Sequence, residues 1–302
     1  MQKIVIICGP TGVGKTAAAV FLAKRARGEI VSADSQQVWR RFDVGTAKPS
    51  REECGEVAHH LIDVADPGDE FDAARFVALA DEAIRGIAAR GRVPFVVGGT
   101  GMYIKMLVHG ICEAPPRDPE VRGELEAEIE RRGLPALHAE LAALDPGSAA
   151  TLAPGDRTRI VRALEIFRIT GVPASALRQQ HGFKERRYDA LKIGLDLERE
   201  ELYRRIEARV DLMISAGLVE EARSLVAKHG AACRPFAAVG YREMASHIAG
   251  ETTLEEAIRL IKQHTRNFAK RQLTWFRADP EIRWFSPKDL GAIEAAICQF
   301  LH

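Results

Sequence analysis

The run Gly9-Pro10-Thr11-Gly12-Val13-Gly14-Lys15-Thr16 has the residue types and spacing of a P-loop, the turn that grips a diphosphate or triphosphate. Its glycines let backbone N–H groups point at phosphate oxygens, and the helix start behind them adds partial positive charge. Lys15 can neutralise the outer phosphate, and the Thr16 hydroxyl can ligate Mg²⁺. Group transfer from a phosphorylated donor is the chemistry this arrangement permits.

Two further runs, Asp34-Ser35-Gln36-Gln37 and Gly98-Gly99-Thr100-Gly101, each follow a predicted strand. Asp34 can serve as a general base or a polar orienter, and Thr100 can donate its hydroxyl to a phosphate or to a second substrate. A plainer reading stands beside this one: Asp34-Ser35 caps a helix and Gly98-Gly99 makes a tight turn. Arg159, Arg162 and Glu165 follow at helical spacing, which fits either a ligand-facing basic strip or a solvated salt-bridged face. Arg204, Arg205 and Arg209 carry the same ambiguity. The adjacent His59-His60 do not share a face and have no third ligand nearby, so zinc is not expected. Trp275-Phe276 can stack on a base or fill a core.

These residues need elements to position them. Apolar, β-branched runs predict strands at 3–7, 29–32, 61–64, 93–97 and 191–196, with a helix from about 15 to 26. Phe76, Ala80, Ala83, Ile84 and Ile87 recur at helical spacing before Gly91. The alternation is that of βαβ units, whose parallel sheet delivers the loops after its strands to one edge. From Asp118-Pro119, a helix start, to about 187 the chain reads as helices alone; charged amphipathic helices follow from 198 to about 278. The expected fold is α/β: a P-loop NTPase-like parallel sheet core flanked by helices, residues 1–112 and 190–302, interrupted by an all-helical insertion domain at 113–189.

With 302 residues, 46% hydrophobic and 28% charged, the chain can bury one large core or two modest ones. Its net charge of +1 gives no general attraction to nucleic acid. Charge is unevenly spread, however. Residues 113–145 hold nine acids against four bases, whereas 259–277 hold six bases and no acid, a stretch suited to phosphate or nucleic acid. Five scattered cysteines suggest neither zinc nor a disulfide framework, so a reduced, cytoplasmic setting is expected, with no export and no membrane insertion.

Taken in order, these segments resemble the tRNA dimethylallyltransferase family, also called tRNA isopentenyltransferase, from Gly9 to Arg277. The residues that carry the likeness are those of 9–16, Ala-Asp-Ser-Gln-Gln-Val at 33–38, Gly-Thr-Ala-Lys-Pro at 45–49 and His-His-Leu-Ile-Asp-Val at 59–64. With them go Asp66-Pro67, Gly-Gly-Thr-Gly at 98–101, Asp156, Arg-Ala-Leu-Glu at 162–165, Gly240-Tyr241 and Ala-Lys-Arg-Gln-Leu-Thr-Trp at 269–275. Trp39, Ala237 and Phe268 depart from the family's usual residues. The resemblance implies transfer of a dimethylallyl group from dimethylallyl diphosphate to N6 of the adenosine just 3′ of the anticodon, giving N6-dimethylallyladenosine with release of diphosphate.

The implied catalytic residues are Lys15, Asp34 and Thr100. Gly9, Pro10, Thr11, Gly12, Val13, Gly14, Lys15, Thr16 and Arg209 then hold the diphosphate, with Mg²⁺ on Thr16. Asp34, Ser35, Gln36, Gln37, Thr100, Arg122, Thr158, Arg159, Ile160, Val161 and Arg162 meet the tRNA anticodon stem-loop, whose target base must flip out of its stack. The bacterial type is expected, since no C-terminal Cys/His pair of the zinc-finger extension of eukaryotic relatives is present, and the chain is expected to act as a cytoplasmic monomer. Three other readings stay open: an ATP-binding P-loop small-molecule kinase, an adenylate dimethylallyltransferase, and a non-catalytic RNA-binding nucleotide sensor.

Overall fold

The computed structural model describes residues 1–55 and 57–302. Six strands, β1 (Lys3–Cys8), β2 (Gly28–Ser32), β3 (His59–His60), β4 (Val93–Gly98), β5 (Asp189–Leu195) and β6 (Arg283–Phe285), form one sheet in the order β3-β2-β4-β1-β5-β6. Every pairing is parallel. A strand covered on both faces by helices must be apolar throughout, and Ile4 through Cys8 are all buried.

β1 lies between β4 and β5, the position from which its following loop opens at the sheet's carboxyl edge. That loop leads into the helix Lys15–Arg25, whose Ala18, Ala19, Leu22 and Ala23 pack into the main core with Val5, Ile7, Leu195 and Ile206. On the helix Ala73–Ala89, capped by the Asp72 carboxylate on the Arg75 N–H, Phe76, Ala80, Ile84 and Ile87 are buried as the spacing requires.

The strand expected at 61–64 is a two-residue β3 at His59–His60 instead. Leu61 and Asp63 adopt φ of 65° and 56°, a left-handed backbone that ends an extended strand at once. β6 and the terminal helix Leu290–Leu301 went unpredicted; three residues give too little periodicity to announce a strand.

The chain divides into two compact units, 1–108 with 187–302, and 109–186. The insertion therefore begins four residues before the expected 113 and ends three before 189. The second unit is helical, its helices including Pro119–Arg132, Leu134–Leu144, Arg157–Thr170 and Ala174–His181 around Leu125, Leu137, Leu141, Ile160 and Leu164. Asp118 and Asp156 cap two of these helices with their carboxylates. Among the described residues no helix is long and apolar enough to cross a membrane.

Candidate active site

The loops after β1, β2 and β4 converge as the parallel topology demands, and hydrogen bonds lock them together. Ala33 N–H donates to the Val97 carbonyl at 2.8 Å, Thr100 N–H to the Ala33 carbonyl at 3.2 Å, and Ser35 N–H to the Thr100 hydroxyl at 3.0 Å. Because Thr100 Oγ1 accepts there, its own O–H hydrogen points elsewhere and can be donated. Asp34 Oδ1 accepts the Gln36 N–H at 2.8 Å, which closes a turn and fixes the carboxylate. No helix follows Asp34-Ser35, so the expected cap is a turn closed by the Asp34 carboxylate instead, and this turn-forming role leaves the loops side by side at the sheet edge.

In the P-loop, Lys15 folds its ammonium onto the Gly9 and Pro10 carbonyls at 3.0 and 2.8 Å. Burial pulls Lys15 down to about 8, with the Asp34 charge opposing and Arg209 reinforcing the shift. The Arg209 guanidinium, lowered by burial against the opposing pull of Asp34 and Glu53, donates to the Thr11 hydroxyl at 3.3 Å. Lys15, Asp34 and Arg209 therefore act on one another electrostatically. Cys8, beneath the loop, has its thiol pushed up to about 12 by burial and is no nucleophile.

Gln272 is the residue that sequence reasoning missed, although it stands inside the 269–275 motif. Only 7% exposed, its amide accepts the Thr11 N–H at 2.8 Å and donates to the Gly99 carbonyl at 2.9 Å. It joins the P-loop to the glycine loop. A Cβ at Gly99 would stand 2.2 Å from Gln272 Nε2, so any larger residue here would displace the glutamine amide from this approach. The available signal was a polar residue on the buried stripe of an amphipathic helix.

A second brace holds the loop 43–48. The Glu221 carboxylate accepts the N–H groups of Asp43, Val44 and Gly45 at 3.0, 2.9 and 3.3 Å, and it also accepts the Tyr241 hydroxyl at 2.5 Å. Ala47 in this loop accepts from Gln37 Nε2 at 3.2 Å, while Ser32 donates to Gln37 Oε1 at 3.1 Å. The Gln37 amide is therefore oriented from both ends.

In the second unit the expected basic strip looks different. Glu165 is fully buried and accepts Arg122 at 2.8 and 3.1 Å, Arg162 at 2.6 Å and the Asp118 N–H at 2.9 Å. Burial pushes this carboxyl up, but the hydrogen bonds outweigh that effect and hold it below the usual range. Arg122 and Arg162 thus spend much of their guanidinium capacity inside the unit. Ile160 and Val161, 0% and 2% exposed, are core residues whose side chains cannot meet a ligand, because they sit on the helix face opposite Thr158 and Arg159. Thr158 and Arg159 are exposed.

The basic stretch 259–277 is mostly neutralised as well. Arg259 pairs with Glu256, Lys262 with Asp211, Arg266 with Glu207 and Arg277 with Asp196. Trp275-Phe276 divides: Phe276 is core at 3% exposed, while Trp275 is 47% exposed. His59 and His60 engage the Val57 carbonyl and Glu29, and no group of three or more possible metal-binding side chains occurs among the described residues.

A family model described as IPP transferase matches residues 37–279, and one described as isopentenyl transferase matches residues 2–64. The chain is 54% identical over 286 residues to a tRNA dimethylallyltransferase of Anaeromyxobacter dehalogenans strain 2CP-C, covering 95% of each chain. It is 50% identical over 302 residues to a tRNA dimethylallyltransferase of Geobacter metallireducens, covering 99% of this chain and 98% of that one. Among solved structures it is similar to a full-length tRNA isopentenylpyrophosphate transferase from Bacillus halodurans, with TM-score 0.76, 42% identity, and coverage of 100% and 97%. A eukaryotic dimethylallyltransferase described as acting on tRNA is also similar, with TM-score 0.79, 27% identity, and coverage of 96% and 75%.

Proposed function

Because this chain belongs to the tRNA dimethylallyltransferase family, enzymes that transfer a dimethylallyl group to tRNA, we propose how its own residues carry out that transfer. The donor is dimethylallyl diphosphate, held by the backbone of Gly9–Thr16 with Lys15 and Arg209 on its oxygens. The acceptor is the N6 amine of the adenosine 3′-adjacent to the anticodon, presented by a flipped base beside Ser35, Gln36 and Gln37. The carbon–oxygen bond to the diphosphate breaks as the nitrogen–carbon bond forms. The departing diphosphate takes the bond's electron pair, and the amine proton passes to Asp34.

The observation that carries this reading is the mutual influence of Lys15, Asp34 and Arg209 in one cleft. Charge develops on the leaving group, and fixed cations and N–H dipoles stabilise it without reorganising. The allylic carbon delocalises its own positive charge, so leaving-group stabilisation is the main task. Asp34 Oδ1 is already engaged by Gln36 N–H, which leaves Oδ2 as the oxygen to receive the proton. Thr100 donates its hydroxyl toward the diphosphate.

The donor set suits Mg²⁺ bound through the Thr16 hydroxyl and diphosphate oxygens, since this hard ion binds oxygen and needs no all-protein carboxylate cage. When bound there, it adds positive charge at the leaving oxygens. In this reading the enzyme works as a monomer in the cytoplasm, where its tRNA is. Thr158 and Arg159 supply tRNA contacts from the second unit, and Arg122 and Arg162 contribute whatever capacity Glu165 leaves them.

The test is transfer of labelled dimethylallyl from its diphosphate, with Mg²⁺, to an anticodon stem-loop RNA containing the target adenosine. Label on free AMP, or consumption of ATP alone, would falsify the proposal. Asp34→Asn keeps the turn-forming acceptor and removes the base, so turnover should fall by at least about 10²-fold with tRNA affinity little changed. Near-normal turnover would remove Asp34 from the base role.

A further inference from the structure

The helix Leu254–Arg277 carries aromatic surface that neither the diphosphate grip nor the Gln272 brace uses. Phe268 and Trp275 are 38% and 47% exposed and stand seven residues apart, two helical turns, on one face. Arg271 lies between them, its guanidinium over the Phe268 ring at 5.7 Å from the centroid. Core filling does not account for Trp275, because its neighbour Phe276 does that work.

Trp275 is fixed at the reaction site. A Cβ at Gly101 would fall 2.1 Å from indole Cδ1 and 2.2 Å from Nε1, so the ring lies against the chain one residue beyond Thr100. One turn back on the same helix, Gln272 holds Gly99 and Thr11. Of the six cations in 259–277, Lys270 and Arg271 are the two that form no ion pair among the described residues, and both are exposed; Arg271, one turn before Trp275, shares its face, whereas Lys270 is turned toward Asp196, Glu198 and Glu201. Half-exposed rings and an unpaired cation beside a reaction loop are what single-stranded nucleic acid requires: stacking on any base face, with charge for the phosphates that link the bases.

We propose that Trp275 is a stacking platform for an unpaired base neighbouring the modified nucleotide of tRNA, with Arg271 meeting an adjoining phosphate. The inference rests on the tRNA reading above. Flipping one base out of a loop removes a stacking partner from its neighbour, and the indole replaces it. The platform thereby sets the register in which a single nucleotide is presented to Thr100 and Asp34.

Steady-state transfer to anticodon stem-loop RNAs tests this. Trp275→Ala should raise KM for the intact stem-loop about fivefold or more, the low end of base–aromatic stacking, with KM for dimethylallyl diphosphate unchanged. Trp275→Phe should recover most of the loss. An abasic residue placed on one side of the target should raise the wild-type KM and erase the difference between wild type and Trp275→Ala. An unchanged KM, an equal penalty on every RNA, or a matching rise in KM for the diphosphate overturns the platform. Wild-type transfer to the intact stem-loop tests the underlying reading separately, since its failure would sink that reading and not merely the stacking.

Discussion

Gln272→Leu removes two hydrogen bonds at once while roughly keeping side-chain volume. Thr11 N–H and the Gly99 carbonyl, at 2.8 and 2.9 Å from the Gln272 amide, lose their partner in a place where the glutamine is only 7% exposed. Stranding each buried group costs about 1–3 kcal/mol, so the pair is worth on the order of 2–6 kcal/mol. Against a typical stability of about 5–15 kcal/mol the protein should still fold. A functional loss of comparable size should accompany it, because one partner belongs to the loop of Lys15 and the other to the loop of Thr100. Displacement of either by about 1 Å can cost roughly 10²-fold in kcat/KM. Urea unfolding measures the first quantity, and kinetics with varied dimethylallyl diphosphate measure the second. A variant within about 0.5 kcal/mol of wild type, with unchanged kinetics, would refute the coupling. A cycle sharpens the test: Gly99→Ala forces a methyl against Gln272 Nε2, and shortening that side chain in Gln272→Ala makes room. The double variant should therefore lose less than the sum of the singles.

The shift on Lys15 gives a pH dependence. With the ammonium titrating at about 8 rather than 10.5, binding of inorganic diphosphate should weaken as pH rises through 8, by up to about tenfold per unit, and calorimetry across that range checks it. Lys15→Arg should flatten the profile. The lowered folded-state value also means that the unfolded chain holds the extra proton between 8 and 10.5. Stability from this group is therefore missing below about 8 and regained as pH climbs through that window. In the second unit, the double replacement of Arg122 and Arg162 by alanine leaves buried Glu165 without its cations and should cost about 3–5 kcal/mol in thermal or urea unfolding. Arg159→Ala should stay within about 0.5 kcal/mol of wild type yet lower the salt slope of tRNA affinity by about one; an unchanged slope would return Arg159 to the solvated face.

What the sequence disclosed follows physical lines. The P-loop was legible because its chemistry depends on backbone conformation and two side chains, all within eight consecutive residues. Asp34 and Thr100 were legible as loop residues after strands, since a parallel sheet places such loops on one edge whatever their content. In the segment 158–162, helical periodicity turns the side chains of Ile160 and Val161 inward and leaves Arg159 outside, a division that the resemblance by itself does not make. The partners of Gln272 and Glu221 were beyond reach for a different reason, even where burial of a polar side chain could flag the residue. Each of the two residues acts on backbone groups more than 170 residues away along the chain, at 261 and 173 for Gln272 and 176 to 178 for Glu221, and no local pattern encodes such a partner.

That distribution has a mechanistic consequence. Asp34, Thr100 and the glycines proposed to meet substrate sit on short loops, which are cheap to deform, whereas Gln272 and Glu221, which hold those loops, sit on helices. Gln272 is on the same helix as core residues Ala269 and Phe276, and Tyr241, fully buried, stands with Glu221 behind Gly45. A leaving group can be stabilised by fixed dipoles only if they do not relax as charge develops. Rigidity at Gly9–Thr16 and Gly98–Gly101 is thus a catalytic requirement, met by side chains that need not touch either substrate. The same helix turns its outer face, with Trp275 against Gly101, toward solvent. One rigid element therefore connects the positioning of the diphosphate loop to the proposed stacking of the RNA.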